Sequence, residues 1–397
     1  MVQHSANVMT PSLDRPAAIV VGLCGHGLGI VRALHRNGVP VIALEADTRL
    51  PGVRTRCAKV RIVPDINREG LIDSLIALAA ELPASPKPVL LLTSDRMVET
   101  VGRHVGRILP HYKLAWGDAA ERLLPLLGKD SIERRCRETG HNYPRTVVLE
   151  DLERIDEHLA GLRFPVIAKP TRPVSAFKTV VADSAEALAA ARGRISGSLP
   201  VIVQEFIPGG DEAIRFGALY LDHGKPLARF EGRKLRSRPM GHTTLAVSAV
   251  DDDIHRLALR FFDGLEFSGP VSLELKQAPD GTQWVIEPTV GRTDFWADLC
   301  VANGVNLPLI EYCHQAGLPL PTAIQQDRRV WMNGERDPGA LLWLAARQPG
   351  FLLARGVRGL FASLSDPQPF LLALGRFLGA LPLRAARKAG RLALRRG

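Results

Sequence analysis

Residues 270–296, PVSLELKQAPDGTQWVIEPTVGRTDFW, place two acidic side chains inside runs that favour strands. Val271, Leu273 and Leu275 alternate with Ser272, Glu274 and Lys276, the period of a strand with one buried face. The turn signal APDGT leads into a second strand, QWVIEP, so the segment reads as a β-hairpin with Glu274 on one arm and Glu287 on the other. A half-solvated sheet would accommodate both acids without any function. Two neighbouring carboxylates repel, however, and tend to hold protons unless a cation lies between them. Mg²⁺ relieves that repulsion and characteristically shares one or two carboxylates with a phosphate. The chain should then also carry a phosphate site.

Candidates for that site lie upstream. Lys129 precedes a helix in GKDSIERRCRETG, and Lys169 ends the apolar strand FPVIAKP, fixed by Pro170. In VIVQEFIPGGDE a strand runs into an extended segment, turns at Pro208–Gly210, and reaches Asp211 and Glu212. Such a segment can offer backbone N–H and C=O groups to a flat heterocycle and an acid to ribose hydroxyls. Arg233, Lys234 and Arg236 form either a basic solvated face or part of a site. Arg292 follows Glu287 by five residues, within reach of a phosphoryl group or a substrate carboxylate. His26 and His242 are candidates for cleft walls or for purely structural positions.

These residues need a scaffold. After a lead over 1–15 with no structural signal, AAIVVGLCGHGLGIVRALHRNGVPVIALEAD predicts a βαβ unit ending at Glu45 and Asp47. Its glycines, Gly22, Gly25, Gly27 and Gly29, serve either a dinucleotide or close packing. A helix over 68–82 and the strand PVLLLTSD follow, placing Thr93, Ser94 and Asp95 at a strand's carboxyl edge, where ligands bind in open α/β sheets. A first domain over 16–120 is expected, then an α+β region over 121–322 with helices at 151–161, 184–195 and 251–263. The extension 323–397 reads as helical, with breaks marked by proline.

The chain has 397 residues, 46% hydrophobic and 23% charged, enough for several folded domains. Its five cysteines lack CxxC pairing and suggest a reducing compartment, the cytoplasm, rather than a disulfide framework. No run of 18 apolar residues predicts a transmembrane helix. The net charge is +10, but seven Lys/Arg without an acid lie from Arg376 onward, leaving +3 for the rest. A nucleic-acid surface is therefore not expected. In the tail, Arg384, Arg387, Lys388, Arg391 and Arg395 share one arc of about 100° on a helix. That stripe suits anionic head groups at the inner membrane face, or a solvated face of a helix packed on the body.

The ordered set Lys129, Lys169 in FPVIAKP, the QEFIPG hinge, Glu274 and Glu287 resembles the ATP-grasp superfamily over roughly residues 18–320. Within it the chain looks most like carboxylate–amine ligases of the D-aspartate ligase kind and those of exopolysaccharide gene neighbourhoods. The resemblance implies an α/β protein with an N-terminal parallel βαβ domain and two α+β lobes clasping ATP, hinged near 204–210. It implies Lys129 and Lys169 on the ATP phosphates and Gln204, Glu205, Phe206 and Ile207 around the adenine. Asp211 or Glu212 would hold the ribose. Glu274 and Glu287 would bind Mg²⁺ or Mn²⁺, with Thr289 in EPT standing where many relatives carry Asn. Lys169, Arg292 and Lys178 would serve catalysis. The loop PTRPVSAF lacks the glycines usual there, and Arg172 and Lys178 would contact phosphate in their place. The implied reaction activates a small carboxylate as an acyl phosphate and joins it to an amine. Two other readings are an ATP-binding scaffold of little activity at a membrane and a nicotinamide-dependent oxidoreductase, the latter explaining residues 18–47 alone.

Overall fold

The computed structural model describes residues 15–153, 155–170, 179–238 and 242–379. Lys178, Arg172 and the basic stripe beyond Pro382 lie outside the described residues, as do the side chains of Lys129 and His242.

The first sheet is parallel, in the order β3-β2-β1-β4: β1 (Ala18–Val21), β2 (Val41–Glu45), β3 (Lys59–Ile62) and β4 (Val89–Leu92). The runs AIVV and VLLL are buried throughout: β1 is a central strand, and β4, at the end of the sheet, has its outer edge covered by Lys113, whose backbone bonds to Pro88 and Leu90. Helix α1 (Gly25–His35) follows the glycine-rich turn, and α2 (Glu69–Ala80) presents Leu71, Ile72, Leu75 and Leu78 to the core. Helix α3 (Asp95–Arg103) starts at the end of β4, where the Ser94 hydroxyl accepts from Met97 N–H. Gly22 has φ +93°, and a Cβ there would stand 2.3 Å from Thr93 Oγ1, so only glycine lets the turn approach β4.

A second, antiparallel sheet has the order β5-β8-β6-β7: β5 (Thr146–Leu149), β6 (Val166–Pro170), β7 (Val180–Ala182) and β8 (Val201–Glu205). The helix expected over 151–161 shrinks to Ile155–His158, and that over 184–195 breaks at Ala191 into two short helices. Both stretches still bury apolar residues on the sheet, Leu152, Ile155 and Leu159 from the first and Leu188 and Ile195 from the second.

The largest sheet runs β13-β12-β9-β10-β11-β14-β15. Its strands are β9 (Ile214–Asp222), β10 (Lys225–Arg238), β11 (His242–Ser248), β12 (Gly269–Gln277), β13 (Gln283–Val290), β14 (Arg329–Met332) and β15 (Gly356–Gly359). Helix Asp252–Phe262, capped by Asp251, buries Ile254, Ala258, Phe261 and Phe262 on one side. Trp296, Leu299 and Ile310 cover the other side together with Phe216, whose ring stacks on Trp296 at 4.0 Å.

The C-terminal extension is therefore not helical throughout. Its strands β14 and β15 extend the large sheet beyond β11, because Val330 and Trp331 bury against that edge. The chain then returns to the first domain. Arg32 and Asp366, each 1% exposed, form an ion pair at 2.9 Å, and Asp366 also accepts from Thr55 Oγ1 and Arg56 N–H. A helical segment follows at 368–379.

Candidate active site

The hairpin forms as expected, and its register sets Glu274 directly opposite Glu287, with a bulge between Glu274 and Leu275. Ser272, Glu274, Glu287 and Thr289 thus share one face. Glu287 keeps an exposed edge, yet it is crowded by protein. Desolvation, joined by the charges of Glu274, Asp95 and Asp294, pushes its carboxyl up to about 7. Glu274 has a cation: Lys234 Nζ donates to it at 2.8 Å, with both side chains largely buried. Thr289 Oγ1 and Ser272 Oγ both donate to Asp294 Oδ2 at 3.0 Å, which leaves the Thr289 lone pairs for a cation. Among the described residues, no group of three or more His, Cys, Asp or Glu forms a metal cage. Two opposed carboxylates, one of them surrounded by like charge, fit Mg²⁺, which completes its shell with phosphate and water.

Arg292 is placed by the turn after β13. Gly291 has φ +71°, and a Cβ there would press on Val98 at 2.9 Å and Trp116 at 3.1 Å. The tight turn lets Arg292 Nε donate to Asp95 Oδ1 at 2.7 Å, bringing the guanidinium to the carboxyl edge of β4. Arg292 belongs to the charge environment of Glu287, the separation in sequence notwithstanding. Next to it, His26 Nε2 lies 3.0 Å from Thr293 Oγ1. Burial and the Arg292 charge lower the His26 pKa to about 3, so the imidazole is neutral and structural.

On the second sheet, Lys169 Nζ donates to Gln204 Oε1 at 3.3 Å, and Gln204 Nε2 donates to Thr146 Oγ1. The Glu205 carboxylate pairs with Arg163, so the residue's backbone rather than its side chain is the candidate contact. Glu205 N–H and Phe206 N–H already donate to Arg145 and Pro165 carbonyls. Ile207 N–H has no backbone acceptor among the described residues. Lys276, two residues beyond Glu274 on the same strand, sets its Nζ 4.7 Å from the Phe206 ring centre, linking hinge to hairpin. Burial lowers the Lys276 pKa, opposed by Asp211 and Glu212, so both acids stand near this ammonium. Asp211 Oδ2 also accepts from Ser237 N–H. Lys129 begins helix Lys129–Glu138.

Two residues were not singled out from the sequence as site residues. Asp294 gathers the hydroxyls beside the acids. Lys234 lies in the stretch that the sequence leaves open between a basic solvated face and part of a site; the signal that separates it from Arg233 is its parity with the inward residues Ala228, Phe230 and Gly232 on β10. The acid that ends β2 has a different role: Glu45 accepts from Leu23, Ala46 and Asp47 N–H groups. That carboxylate closes the glycine-rich turn and is not presented to a ribose.

No protein-family model matches the chain. A D-aspartate ligase from Enterococcus faecium (strain Aus0004) is 24% identical over 292 residues, spanning 67% of this chain and 68% of that protein. Among solved structures, the ADP complex of purK, an N5-carboxyaminoimidazole ribonucleotide synthetase, superposes with TM-score 0.64 at 16% identity, covering 85% of this chain and 87% of that one. The L-amino acid ligase from Bacillus licheniformis gives TM-score 0.57 at 17% identity, covering 77% and 75%. The fold is that of the ATP-grasp proteins. The resemblance read from the sequence, to ATP-grasp carboxylate–amine ligases, agrees with these relatives.

Proposed function

We propose that this chain is an ATP- and Mg²⁺-dependent ligase that activates a small carboxylate and joins it to an amine. The observation that carries this reading is the opposed pair Glu274 and Glu287, with Glu287 held toward protonation by desolvation and by neighbouring negative charge until a cation arrives. The pair would hold Mg²⁺, with Thr289 beside it; the ion neutralises charge on the ATP phosphates. Lys129, Lys169 and Lys178 are assigned to the phosphates as point charges. Phe206 and Ile207 flank the adenine, Glu205 and Gln204 support them, and Asp211 or Glu212 takes the ribose. Lys234 fixes the Glu274 carboxylate, and Arg292 meets the transferred phosphoryl group. A substrate carboxylate oxygen attacks the γ-phosphorus and ADP leaves. The amine nitrogen then attacks the acyl carbon, phosphate leaves, and the amine loses a proton. The test is ADP release by the full chain over a panel of acids and amines, with and without Mg²⁺. No release above background with any pair would overturn the ligase assignment.

We further propose peripheral attachment to the cytoplasmic face of a membrane. Helix 368–379 leaves Phe370, Leu371, Leu374 and Leu378 exposed, and the basic stripe follows it in sequence. No described helix is long and apolar enough to cross a membrane. Each basic residue near anionic lipid adds about 1 kcal/mol. Co-sedimentation with anionic but not neutral vesicles, lost on truncation after Asp366, is the expected result; equal, negligible binding by both chains refutes attachment.

A further inference from the structure

The acids of the hairpin share their face with two hydroxyls. Ser272 lies directly opposite Thr289 in the register, two residues along from the pair Glu274 and Glu287. Ser272, Thr289 and Asp294 are all buried, so each hydroxyl proton needs a protein acceptor. A hydroxyl can present either its proton or its lone pairs, whereas an amide carbonyl only accepts. A proton turned toward Glu274 and Glu287 would occupy carboxylate lone pairs and repel a cation. The direction in which Thr289 points its proton therefore decides whether its oxygen can serve beside the acids.

Asp294 sets that direction. Its Oδ2 lies 3.0 Å from both Thr289 Oγ1 and Ser272 Oγ. A carboxylate only accepts, so both protons point to Asp294 and both hydroxyl oxygens keep their lone pairs. The other oxygen is engaged separately: Oδ1 accepts from Phe295 N–H at 2.6 Å, and the Asp294 carbonyl accepts from Ala297 N–H. The carboxylate is thus fixed by its own turn before the hydroxyls reach it. It is not the main anchor of Arg292, whose Nη1 is 3.9 Å from Asp294 Oδ1 while its Nε donates to Asp95 at 2.7 Å. Asp95 holds the guanidinium, and Asp294 holds the hydroxyls.

Resting on the metal site assigned above, we propose that Asp294 is a positioning residue for it: Asp294 draws the Thr289 and Ser272 protons away from the acids, so that Thr289 meets the cation as an acceptor. Asp294 acts through Thr289, with both of its own oxygens already engaged. Groups that orient a metal ligand in this way typically change metal affinity about 10- to 100-fold when removed.

The test uses the full chain with a non-hydrolysable ATP analogue and Mn²⁺ as the probe, bound Mn²⁺ being measured by electron paramagnetic resonance. Asp294→Asn sets amide donors against the two hydroxyls and turns their protons toward the acids. That variant and Thr289→Val should each weaken Mn²⁺ binding about tenfold. In the Thr289→Val background, Asp294→Asn should weaken it by less than about threefold, because the group it orients is gone. Thr289→Ser keeps the hydroxyl and its acceptor and should stay within about twofold of wild type. In turnover, raising Mg²⁺ should restore the Asp294→Asn rate, a shift in apparent Mg²⁺ affinity rather than in the maximal rate. Equal losses from Asp294→Asn in both backgrounds would show that the carboxylate acts by its charge or as a ligand, and overturn the proposal. Wild-type Mn²⁺ affinity with a lowered thermal midpoint, the outcome for a purely structural carboxylate, also overturns it, as does loss of affinity in Thr289→Ser. If no acid and amine release ADP, the ligase reading fails and the Mn²⁺ cycle still decides Asp294. A wild-type chain that binds no Mn²⁺ with the analogue refutes the metal site and its positioning residue together.

Discussion

Glu45 and Glu287 both lie at or near the ends of strands in sequence stretches suggestive of ligand binding, yet the molecule uses them in opposite ways. Glu45 is 2% exposed and accepts three backbone N–H groups, so its charge is fully engaged in closing a turn. Glu287 faces Glu274, Asp95 and Asp294 and retains an exposed edge. An acid whose partners are N–H donors builds structure, and an acid surrounded by other acids waits for a cation. The difference is invisible in residue type and visible only in what surrounds each carboxylate.

Five substitutions test that contrast, beginning with the largest effect. Glu287→Gln should lower Mg²⁺-dependent ADP formation by at least about 100-fold with the thermal midpoint unchanged or raised, because it deletes a proposed metal ligand and relieves like-charge crowding. Full activity at limiting Mg²⁺ would remove Glu287 from the metal site. Lys234→Met should cost about 3 kcal/mol in urea unfolding, since Glu274 is left charged and largely buried without its ammonium. Adding Glu274→Gln to that variant should restore most of the loss; additive losses would show that the pair does not act as a unit.

Glu45→Gln should cost about 2 kcal/mol by weakening charge-assisted bonds to the turn, with the Mg²⁺ requirement intact. A shifted Mg²⁺ dependence in that variant would blur the contrast. The smallest effect concerns a third acid, Glu311, 3% exposed on helix Leu307–Ala316, whose carboxyl burial pushes up to about 8. Between the ordinary carboxyl range and pH 8 the folded chain holds a proton that the unfolded chain has released, so stability falls as pH rises through that window. The slope should approach about 1 kcal/mol per pH unit. Glu311→Gln should flatten it, as read from unfolding midpoints between pH 5 and 8; an unchanged slope would assign the pH dependence to other groups.

Much of this arrangement was legible locally. The alternation around Val271–Leu275 and the APDGT turn predict the hairpin, and direct opposition of its acids follows once the strands pair. Helix Asp252–Phe262 and α2 declare themselves by apolar periodicity and length. What escaped depends on distant partners. Strands β14 and β15 are four residues each, too short for periodicity to identify, and exist because β11 offers an edge. Lys234 gains its meaning from Glu274, forty residues later on a strand that is not its neighbour in the sheet. Helix 151–161 is cut to Ile155–His158 although Leu152 and Leu159 on either side are buried in the same core, so packing holds the segment without a continuous helix.

The order of the large sheet also bears on how the chain reaches its fold. Until residues 329–359 have formed, β11 is the outermost strand on its side and presents an unpaired backbone edge. The partner of Arg32 is Asp366, more than three hundred residues away, so a helix made early in synthesis carries a buried cation whose counter-charge comes late. A nascent chain stopped at residue 322 would therefore expose both an aggregation-prone strand edge and an unmatched guanidinium. Completion of the large sheet and neutralisation of Arg32 arrive together, which makes the last part of the body a lock on the first.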